Sequence, residues 1–299
     1  MTIKQFQTHI LSWYKTRRRN LPWRHTKDPY KILVSEVMLQ QTQVSRVLPK
    51  YKEFLTAFPN LHILARARIK RILQVWSGLG YWRRAKYLQQ SAQRILAKAK
   101  KTNSQMSSRR SVADREHRPQ NLADFEGRSF ENLFSRPKNL EKLPGIGPYT
   151  ARALACFAFG SNEAFLDTNI RRVYLHFFFP ERKNISDAEI LKIAQKALWK
   201  KNPREWHYAL FDYGSAVLKD RKINKRSRHY TKQSKFEGSF RSLRTRVMRL
   251  LLDRQNQTAT KSRIERLLKE AQSPYTPEKV LAALEKDGLV KREGNSYSL

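Results

Sequence analysis

The feature that most limits the fold is a tight glycine turn, Leu143-Pro144-Gly145-Ile146-Gly147, between two segments with helical apolar spacing. Two glycines that flank one apolar residue let the backbone reverse sharply. The amides of the following helix then face outward without side chains above them, which suits a phosphate. The turn predicts a hairpin of two helices, which is either an ordinary tight connection or a DNA contact that is independent of base sequence.

Charge favours the DNA contact. The 299 residues include 61 Lys and Arg against 25 Asp and Glu, for a formal net charge of +36. A compact monomer with this charge repels itself unless a polyanion neutralises it, so double-stranded DNA is the expected partner. The 33 aromatic residues also supply base-stacking surfaces. We therefore assign DNA contacts in the turn to Leu143, Gly145, Ile146 and Gly147.

Other classes of protein are excluded by what the chain lacks. No stretch reaches the roughly 20 apolar residues that span a bilayer, and the first residues lack the apolar run of a signal peptide. We expect a cytoplasmic, DNA-associated monomer without membrane contact. Because Cys156 is the single cysteine, an intramolecular disulfide and a four-cysteine zinc or iron-sulfur site are excluded, and the scattered histidines predict no metal site.

Apolar periodicity predicts a mainly helical chain with a smaller C-terminal domain. The polar stretch at about 100–128 predicts a mobile insertion. Residues 219–235 hold eight Lys or Arg and one acid, which marks a solvated linker or a phosphate-contacting arm. At 240–299, three amphipathic helices and two strands around Gly294-Asn295 predict a winged helix. That domain is either a duplex binder or a small packing module.

Two carboxylates are candidates for chemistry. Asp167 stands where a helix should begin, so it is either only an N-cap or an ionised group that faces a cation. Glu36 lies between Val34 and Val37 and shares a helix face with Gln40. Partial burial would raise the pKa of Glu36 and let it carry a proton near neutrality, although a Glu at a helix margin is more often a solvated surface residue.

Together these segments resemble the helix-hairpin-helix DNA glycosylase superfamily, and within it the A/G-specific adenine glycosylases of the MutY type. The motifs that carry the resemblance run in order from residue 21 to about 218. They are Leu21-Pro22-Trp23-Arg24, Asp28-Pro29-Tyr30, Val34 through Val44, Trp76 through Tyr81 with Arg84-Ala85, the glycine turn, Leu166-Asp167-Thr168-Asn169-Ile170, and Phe211-Asp212-Tyr213-Gly214.

The resemblance implies a mainly α, two-lobed helix-hairpin-helix DNA glycosylase fold over residues 1–230, followed by the small winged-helix-like α+β domain at 240–299. One lobe is a six-helix lobe at about 25–136. The other comprises 1–24 plus 137–230, and the DNA cleft lies between them.

The resemblance also implies a reaction. An adenine opposite 8-oxoguanine or guanine is flipped out of the duplex, and its N-glycosidic bond is hydrolysed to leave an abasic site. Glu36 protonates the base, and Asp167 stabilises the oxocarbenium-like sugar. Tyr149 and Asn169 support both by hydrogen bonds. Because bifunctional relatives carry a lysine at the position of Tyr149, we expect a monofunctional enzyme without efficient strand cleavage.

Further contacts are implied by the same alignment of motifs. The flipped base is contacted by Trp23, Arg24 and Asp212. The DNA is contacted by Gln40, Gln41 and Tyr81, of which the last two enter the gap that the base leaves.

The chain departs from the family in two places. Where the family has four cluster-binding cysteines, it carries Leu218, Lys225, Arg228 and Ser234, so we expect no iron-sulfur cofactor. We expect Lys225, Arg226 and Arg228 to contact DNA in place of the cluster loop. The family commonly carries a C-terminal Nudix-like domain, and we expect residues 240–299 to be too few to form one. Two alternatives stay open: a thymine or uracil mismatch glycosylase, and a noncatalytic DNA-binding protein.

Overall fold

The computed structural model describes residues 1–109, 136–231, 235–253, 258–271 and 273–299. Among these residues, two 3-10 helices lie at Pro22–Arg24 and Arg221–Arg226. The α-helices and strands of the described residues are α1 Ile3–Arg17, α2 Pro29–Leu39, α3 Val44–Ala57, α4 Leu61–Arg66, α5 Ile69–Trp76, α6 Arg83–Arg109, α7 Pro137–Leu140, α8 Pro148–Phe159, α9 Thr168–Phe178, α10 Asp187–Lys196, α11 Pro203–Ala216, α12 Phe240–Leu252, β1 Thr258–Thr260, α13 Lys261–Lys269, α14 Pro277–Lys286, β2 Lys291–Glu293 and β3 Ser296–Ser298.

The described chain divides into two compact units. The first comprises residues 1–36 and the described part of 110–232, and the second comprises 37–109 and the described part of 233–299. The second unit thus joins the C-terminal residues to residues 37–109, whereas the sequence interpretation set them apart as a domain. The predicted domain boundaries stay predictions.

The first unit is organised around aromatic rings of α1, α9 and α11. Phe6 of α1 is fully buried, and its ring centroid lies 5.5 Å from that of Tyr174, 5.0 Å from Phe178 and 5.6 Å from Trp206. Burying one such ring stabilises the fold by roughly 1.5–3 kcal/mol. This core fixes α9 and α11, on which several candidate site residues lie.

Residues 37–109 of the second unit form helices α3 to α6 and the end of α2. Their core contains Phe54 and Trp76, whose ring centroids are 5.8 Å apart, together with the buried face of α5. The predicted insertion at 100–128 begins inside α6, which continues to Arg109. Its remaining residues, 110–128, lie outside the described residues. Among the described helices none is long and apolar enough to cross a membrane.

The C-terminal residues form the predicted three helices and hairpin. Thr276 caps α14 and Pro277 opens it, as the sequence indicates. Strands β2 and β3 pair antiparallel around the Gly294 turn, where the backbone adopts φ +61°. Strand β1 pairs on the other side of β3, giving the order β1-β3-β2. The sequence interpretation missed β1 because three residues are too few to show alternation. The helical majority and this small sheet confirm the predicted fold class.

Candidate active site

Glu36 lies in the buried part of α2. Asp28 begins this helix, because its Oδ1 accepts hydrogen bonds from the backbone N–H groups of Tyr30 at 2.8 Å and Lys31 at 3.3 Å. The apolar stripe of α2 then turns inward with Leu33 fully buried, and Glu36 follows it with a relative exposure of only 5%. The sequence left open whether Glu36 is a surface residue, and the structure places it inside.

Tyr149 of α8 contacts this buried carboxyl group. The Tyr149 hydroxyl donates a hydrogen bond to Glu36 Oε2 at 3.2 Å. Burial raises the pKa of Glu36 from 4.5 to about 7, against the lowering effect of the Tyr149 hydrogen bond, and the nearby Asp167 raises it further. A carboxyl group with this pKa is partly protonated at neutral pH, which is what a general acid requires.

Asp167 is the N-cap of α9, as predicted. Its Oδ1 accepts from the backbone N–H of Ile170 at 2.7 Å, and its Oδ2 accepts from Asn169 Nδ2 at 3.0 Å. Burial raises the pKa of Asp167 in spite of these donors. The sequence interpretation expected the helix N-terminus to dominate and keep the group ionised. That expectation left out burial, which penalises the charged form and here outweighs the amides.

The position of Asp167 is fixed by a close backbone approach from α11. A Cβ atom at Gly214 would lie 2.5 Å from the carbonyl oxygen of Asn169, so only glycine fits there. Glu36 and Tyr149 are close enough to shift each other's pKa values, and Asp167 is close enough to raise the pKa of both. The structure therefore brings the four predicted catalytic residues together within the first unit, although Glu36 and Asp167 are 131 positions apart in the chain.

The predicted base-pocket residues Arg24 and Asp212 bind each other. Arg24 Nη1 and Nη2 donate to the two oxygens of Asp212 at 2.7 and 2.8 Å, and Arg19 adds a third ion-pair contact through its Nε. Burial raises the pKa of Asp212, but the hydrogen bonds and charge of Arg24 bring it below its usual value. Trp23 is buried beside Arg24 in the 3-10 helix. Contacts of these residues with a base stay a prediction.

In the glycine turn, the four predicted residues divide by exposure. Gly145 and Gly147 are exposed, whereas the side chains of Leu143 and Ile146 are buried. Gly145 adopts φ +72°, a conformation that favours glycine. The two apolar side chains thus hold the turn to the core, and its backbone at the two glycines faces solvent.

Gln41 and Tyr81 lie in two turns of the second unit, and both have left-handed backbones, with φ +54° and +47°. Arg84 joins these turns. Its buried guanidinium donates to the carbonyl oxygens of Gln40 at 2.5 Å, Leu79 at 3.1 Å and Gly80 at 3.2 Å, among six acceptors in all. Burial lowers the pKa of Arg84 to about 10. Sequence reasoning included Arg84 only as part of a motif and missed this structural role.

The basic segment 219–235 differs from the predicted solvated linker where the structure describes it. Asp220 caps the 3-10 helix, and Ile185 pairs with Ser227 in a parallel β-bridge. Arg226 Nη1 donates to the carbonyl oxygen of Phe179 at 3.4 Å. The described residues around Ser227 are held in place because the backbone on both sides of Ser227 is hydrogen-bonded to residue 185.

The residues at the four positions of the family's cluster cysteines do not fit a four-thiolate cluster. Lys225 and Arg228 are exposed cations, Leu218 is a buried aliphatic side chain, and Ser234 lies outside the described residues. Arg228 Nε donates to Asn184 Oδ1 at 3.2 Å. Among the described residues, no group of three or more His, Cys, Asp or Glu side chains could hold a metal ion.

Comparison with known proteins gives a family match over more than half of the chain. The model of the HhH-GPD superfamily, described as base excision DNA repair proteins, matches residues 34–201. The adenine DNA glycosylase of Buchnera aphidicola subsp. Baizongia pistaciae is 34% identical over 222 residues, which cover 73% of this chain and 54% of the relative. The adenine DNA glycosylase of Mycobacterium tuberculosis H37Rv is 37% identical over 167 residues, which cover 56% of this chain and 45% of the relative. The chain thus spans about half the length of these relatives.

Solved structures give the same fold. A thermostable thymine-DNA glycosylase superposes with a TM-score of 0.57 at 25% identity, covering 74% of this chain and 89% of the other. Endonuclease III from a non-covalent DNA complex superposes with a TM-score of 0.53 at 18% identity, and the superposition again covers 74% of this chain and 89% of the other. At this low identity the second likeness concerns the fold alone.

Proposed function

The chain belongs to the HhH-GPD superfamily of base excision DNA repair proteins, and from this membership we propose that it is a DNA glycosylase that releases adenine mispaired with 8-oxoguanine or guanine. The observation that carries the proposal is the buried carboxyl group of Glu36, whose pKa of about 7 lets it donate a proton at neutral pH. The named relatives, which are adenine DNA glycosylases, point to adenine as the base.

The chemistry follows from the two carboxyl groups. Adenine is a poor leaving group until a ring nitrogen is protonated, and Glu36 supplies that proton. As the glycosidic bond lengthens, positive charge develops on the sugar. The carboxylate of Asp167 stabilises this charge, and Asn169 orients the carboxylate through its hydrogen bond to Oδ2. Water then adds to the sugar and returns a proton to the Glu36 carboxylate, so that free adenine and an abasic site are the products.

Tyr149 supports a monofunctional reaction. A lysine amine can form a Schiff base with the sugar and lead to strand cleavage, whereas a phenol cannot. Burial and the neighbouring carboxyl groups raise the pKa of Tyr149 well above its usual value, so the hydroxyl keeps its proton and donates it in the hydrogen bond to Glu36. This hydrogen bond holds the Glu36 carboxyl group in place.

The partner in this proposal is duplex DNA with a mispaired base. The net charge of +36 favours binding of a polyanion, and the exposed backbone of Gly145 and Gly147 suits a phosphate. Flipping costs a few kcal/mol and costs least at a mispair. We also propose that the protein is a cytoplasmic monomer that works without an iron-sulfur cluster. Light scattering of the purified protein tests the monomeric state, and iron analysis tests the absence of a cluster.

The deciding experiment identifies the base released from a panel of duplexes. Duplexes with adenine opposite 8-oxoguanine or guanine should yield adenine, and those with thymine or uracil opposite guanine should yield none. Release of a pyrimidine would select the mismatch alternative, and binding without any release would select the noncatalytic one. Borohydride should trap no covalent adduct with DNA.

Glu36→Gln tests the assigned acid. Gln has nearly the same shape as protonated Glu but cannot donate the proton, so release should fall by about 100-fold or more while DNA affinity stays close to that of the native protein. Glu163→Gln is the matched control, because Glu163 is a half-exposed carboxylate that pairs with Arg152 at 3.2 Å and is not one of the assigned site residues. Normal turnover in Glu36→Gln would refute the assignment.

A further inference from the structure

The turn that carries Tyr81 is held in an unusual backbone conformation. Gly78, Gly80 and Tyr81 all have positive φ values, +97°, +67° and +47°. A non-glycine residue in this region costs of order 1–3 kcal/mol and persists only where its surroundings enforce it. Arg84 enforces it from the backbone side, through the carbonyl oxygens of Leu79 and Gly80. The Tyr81 side chain itself is partly exposed.

A second arginine holds the other end of the same side chain. Nη1 of Arg241, in α12 of the C-terminal residues, donates a hydrogen bond to the Tyr81 hydroxyl. The guanidinium carbon of Arg241 lies 5.1 Å from the Tyr81 ring centroid, and that of Arg84 lies 5.2 Å from it. Cations at this distance are attracted to an aromatic ring. The ring is therefore restrained by two arginines that lie 157 positions apart.

The C-terminal residues are anchored close to this turn. The side chain of Asp287, at the end of α14, accepts from Arg244 Nη2 at 2.5 Å and Arg83 Nη1 at 3.1 Å. Lys86 Nζ donates to the backbone carbonyl oxygens of Asp287 and Gly288 at 2.9 and 3.0 Å. Arg83 and Lys86 belong to α6, which begins two residues after Tyr81. These contacts fix the C-terminal residues to the helix that follows the Tyr81 turn.

The exposed surface of α14 does not favour the duplex-binding alternative. Its exposed residues are Glu278, Lys279, Ala282 and Lys286, a mixture of signs and sizes, and the last turn of the helix leads into the Asp287 contacts. A helix that reads DNA in a major groove needs donors and cations on its exposed face. The observed contacts favour the alternative in which the C-terminal domain is a packing module, and the Tyr81 turn is one of the segments that it contacts.

We propose that Arg241 is a positioning residue, through which the C-terminal residues hold Tyr81 in the orientation that opens a mispaired duplex. The proposal rests on the proposed function, because it assigns Tyr81 to the gap left by the flipped base. An exposed aromatic side chain that must enter a base stack loses rotamer freedom on binding. Fixing the ring in advance removes a cost of about 0.5–1.5 kcal/mol, which corresponds to a factor of about 2 to 13.

The experiment compares native protein with Arg241→Ala, Tyr81→Phe, the double variant and Arg246→Ala. Arg246 is the matched control, since it lies in the same helix and its Nη2 donates to the exposed Glu237 at 3.4 Å. Three quantities are measured: the single-turnover rate of adenine release, the fluorescence of 2-aminopurine placed at the mispair, and the affinity for a fully matched duplex. Thermal unfolding of each variant checks that it is folded.

We expect Arg241→Ala and Tyr81→Phe each to lower adenine release and 2-aminopurine unstacking by about 2- to 13-fold. The double variant should be no worse than Arg241→Ala, because Arg241→Ala already removes the hydrogen bond that Tyr81→Phe removes. Arg241→Ala should weaken matched-duplex binding no more than Arg246→Ala does. Three results would overturn the proposal. They are a loss in the double variant that equals the product of the two single losses, 2-aminopurine unstacking in Arg241→Ala equal to that in native protein, and faster opening of the mispair by Arg241→Ala.

The fluorescence measurement separates this proposal from the proposed function. If native protein releases no adenine, the glycosylase assignment fails, yet unstacking at the mispair still reports on Arg241. If native protein releases adenine and Arg241→Ala opens the mispair as well as Arg246→Ala does, only the positioning role fails. Each combination therefore supports or overturns the role of Arg241.

Discussion

Replacing Glu36 by Gln should make the protein more stable at alkaline pH. The folded protein binds a proton at Glu36 more tightly than the unfolded chain does, because burial raises the pKa from 4.5 to about 7. Between these two values the folded state holds more protons, so the free energy of unfolding falls as pH rises. At 1.36 kcal/mol for each tenfold change in proton affinity, the full loss above pH 7 is about 3 kcal/mol.

Urea unfolding of native protein and Glu36→Gln at pH 5 and pH 8 measures this effect. At pH 5 most of the native carboxyl groups are protonated, and the two proteins should differ by less than about 1 kcal/mol. At pH 8 the variant should be more stable by about 3 kcal/mol, seen as a higher midpoint at an unchanged slope with urea. Glu163→Gln provides the baseline for exchanging a half-exposed carboxylate.

The pH dependence is what distinguishes a buried ionisable group from a packing effect. A gain in Glu36→Gln that is the same at pH 5 and pH 8 would mean that the amide simply packs better. A loss at both pH values would mean that the contact with Tyr149 requires the carboxyl group in either protonation state. Either result would refute the view that Glu36 is held protonated by burial at the expense of folding stability.

Three further predictions concern the surroundings of Glu36 and the basic segment. Tyr149→Phe removes the hydrogen bond that lowers the pKa of Glu36, so the alkaline limb of the pH profile of adenine release should move to higher pH. Asp212→Asn leaves Arg24 buried without its ionic partner and should cost about 3–5 kcal/mol in urea unfolding. The basic segment has three exposed or partly exposed cations, Lys225, Arg226 and Arg228. Neutralising all three should lower the salt slope of DNA binding by up to about 2.7. An unchanged slope would exclude phosphate contacts by these side chains.

Local signals in the sequence were sufficient for helix starts. Asp28, Asp167 and Thr276 are capping residues before helical periodicity, and each accepts the expected backbone hydrogen bonds. These signals depend on residues within three positions of one another. The hairpin around Gly294 was predictable for the same reason, because its turn residues directly join the two strands.

Pairings over long separations could not be predicted in this way. Neither Arg24 nor Asp212 shows in its own neighbourhood that the other, 188 positions away, will neutralise it. The burial of Glu36 also depends on distant elements, since its own helix leaves it at the edge of the apolar stripe. Arg241 and Tyr81 are a further case, because nothing local to either one indicates the contact.

The six acceptors around Arg84 give the two turns of the second unit a shared mechanical constraint. Oxygen atoms from residues 37–42 and from 79–80 meet at one guanidinium, so a residue inserted into either turn would move its acceptors and shift the guanidinium away from the acceptors of the other turn. Lysine could not replace the arginine, because a single ammonium has three donors and no fork. The lengths of the Gln41 and Tyr81 turns are therefore linked, and redesign of one requires a compensating change in the other.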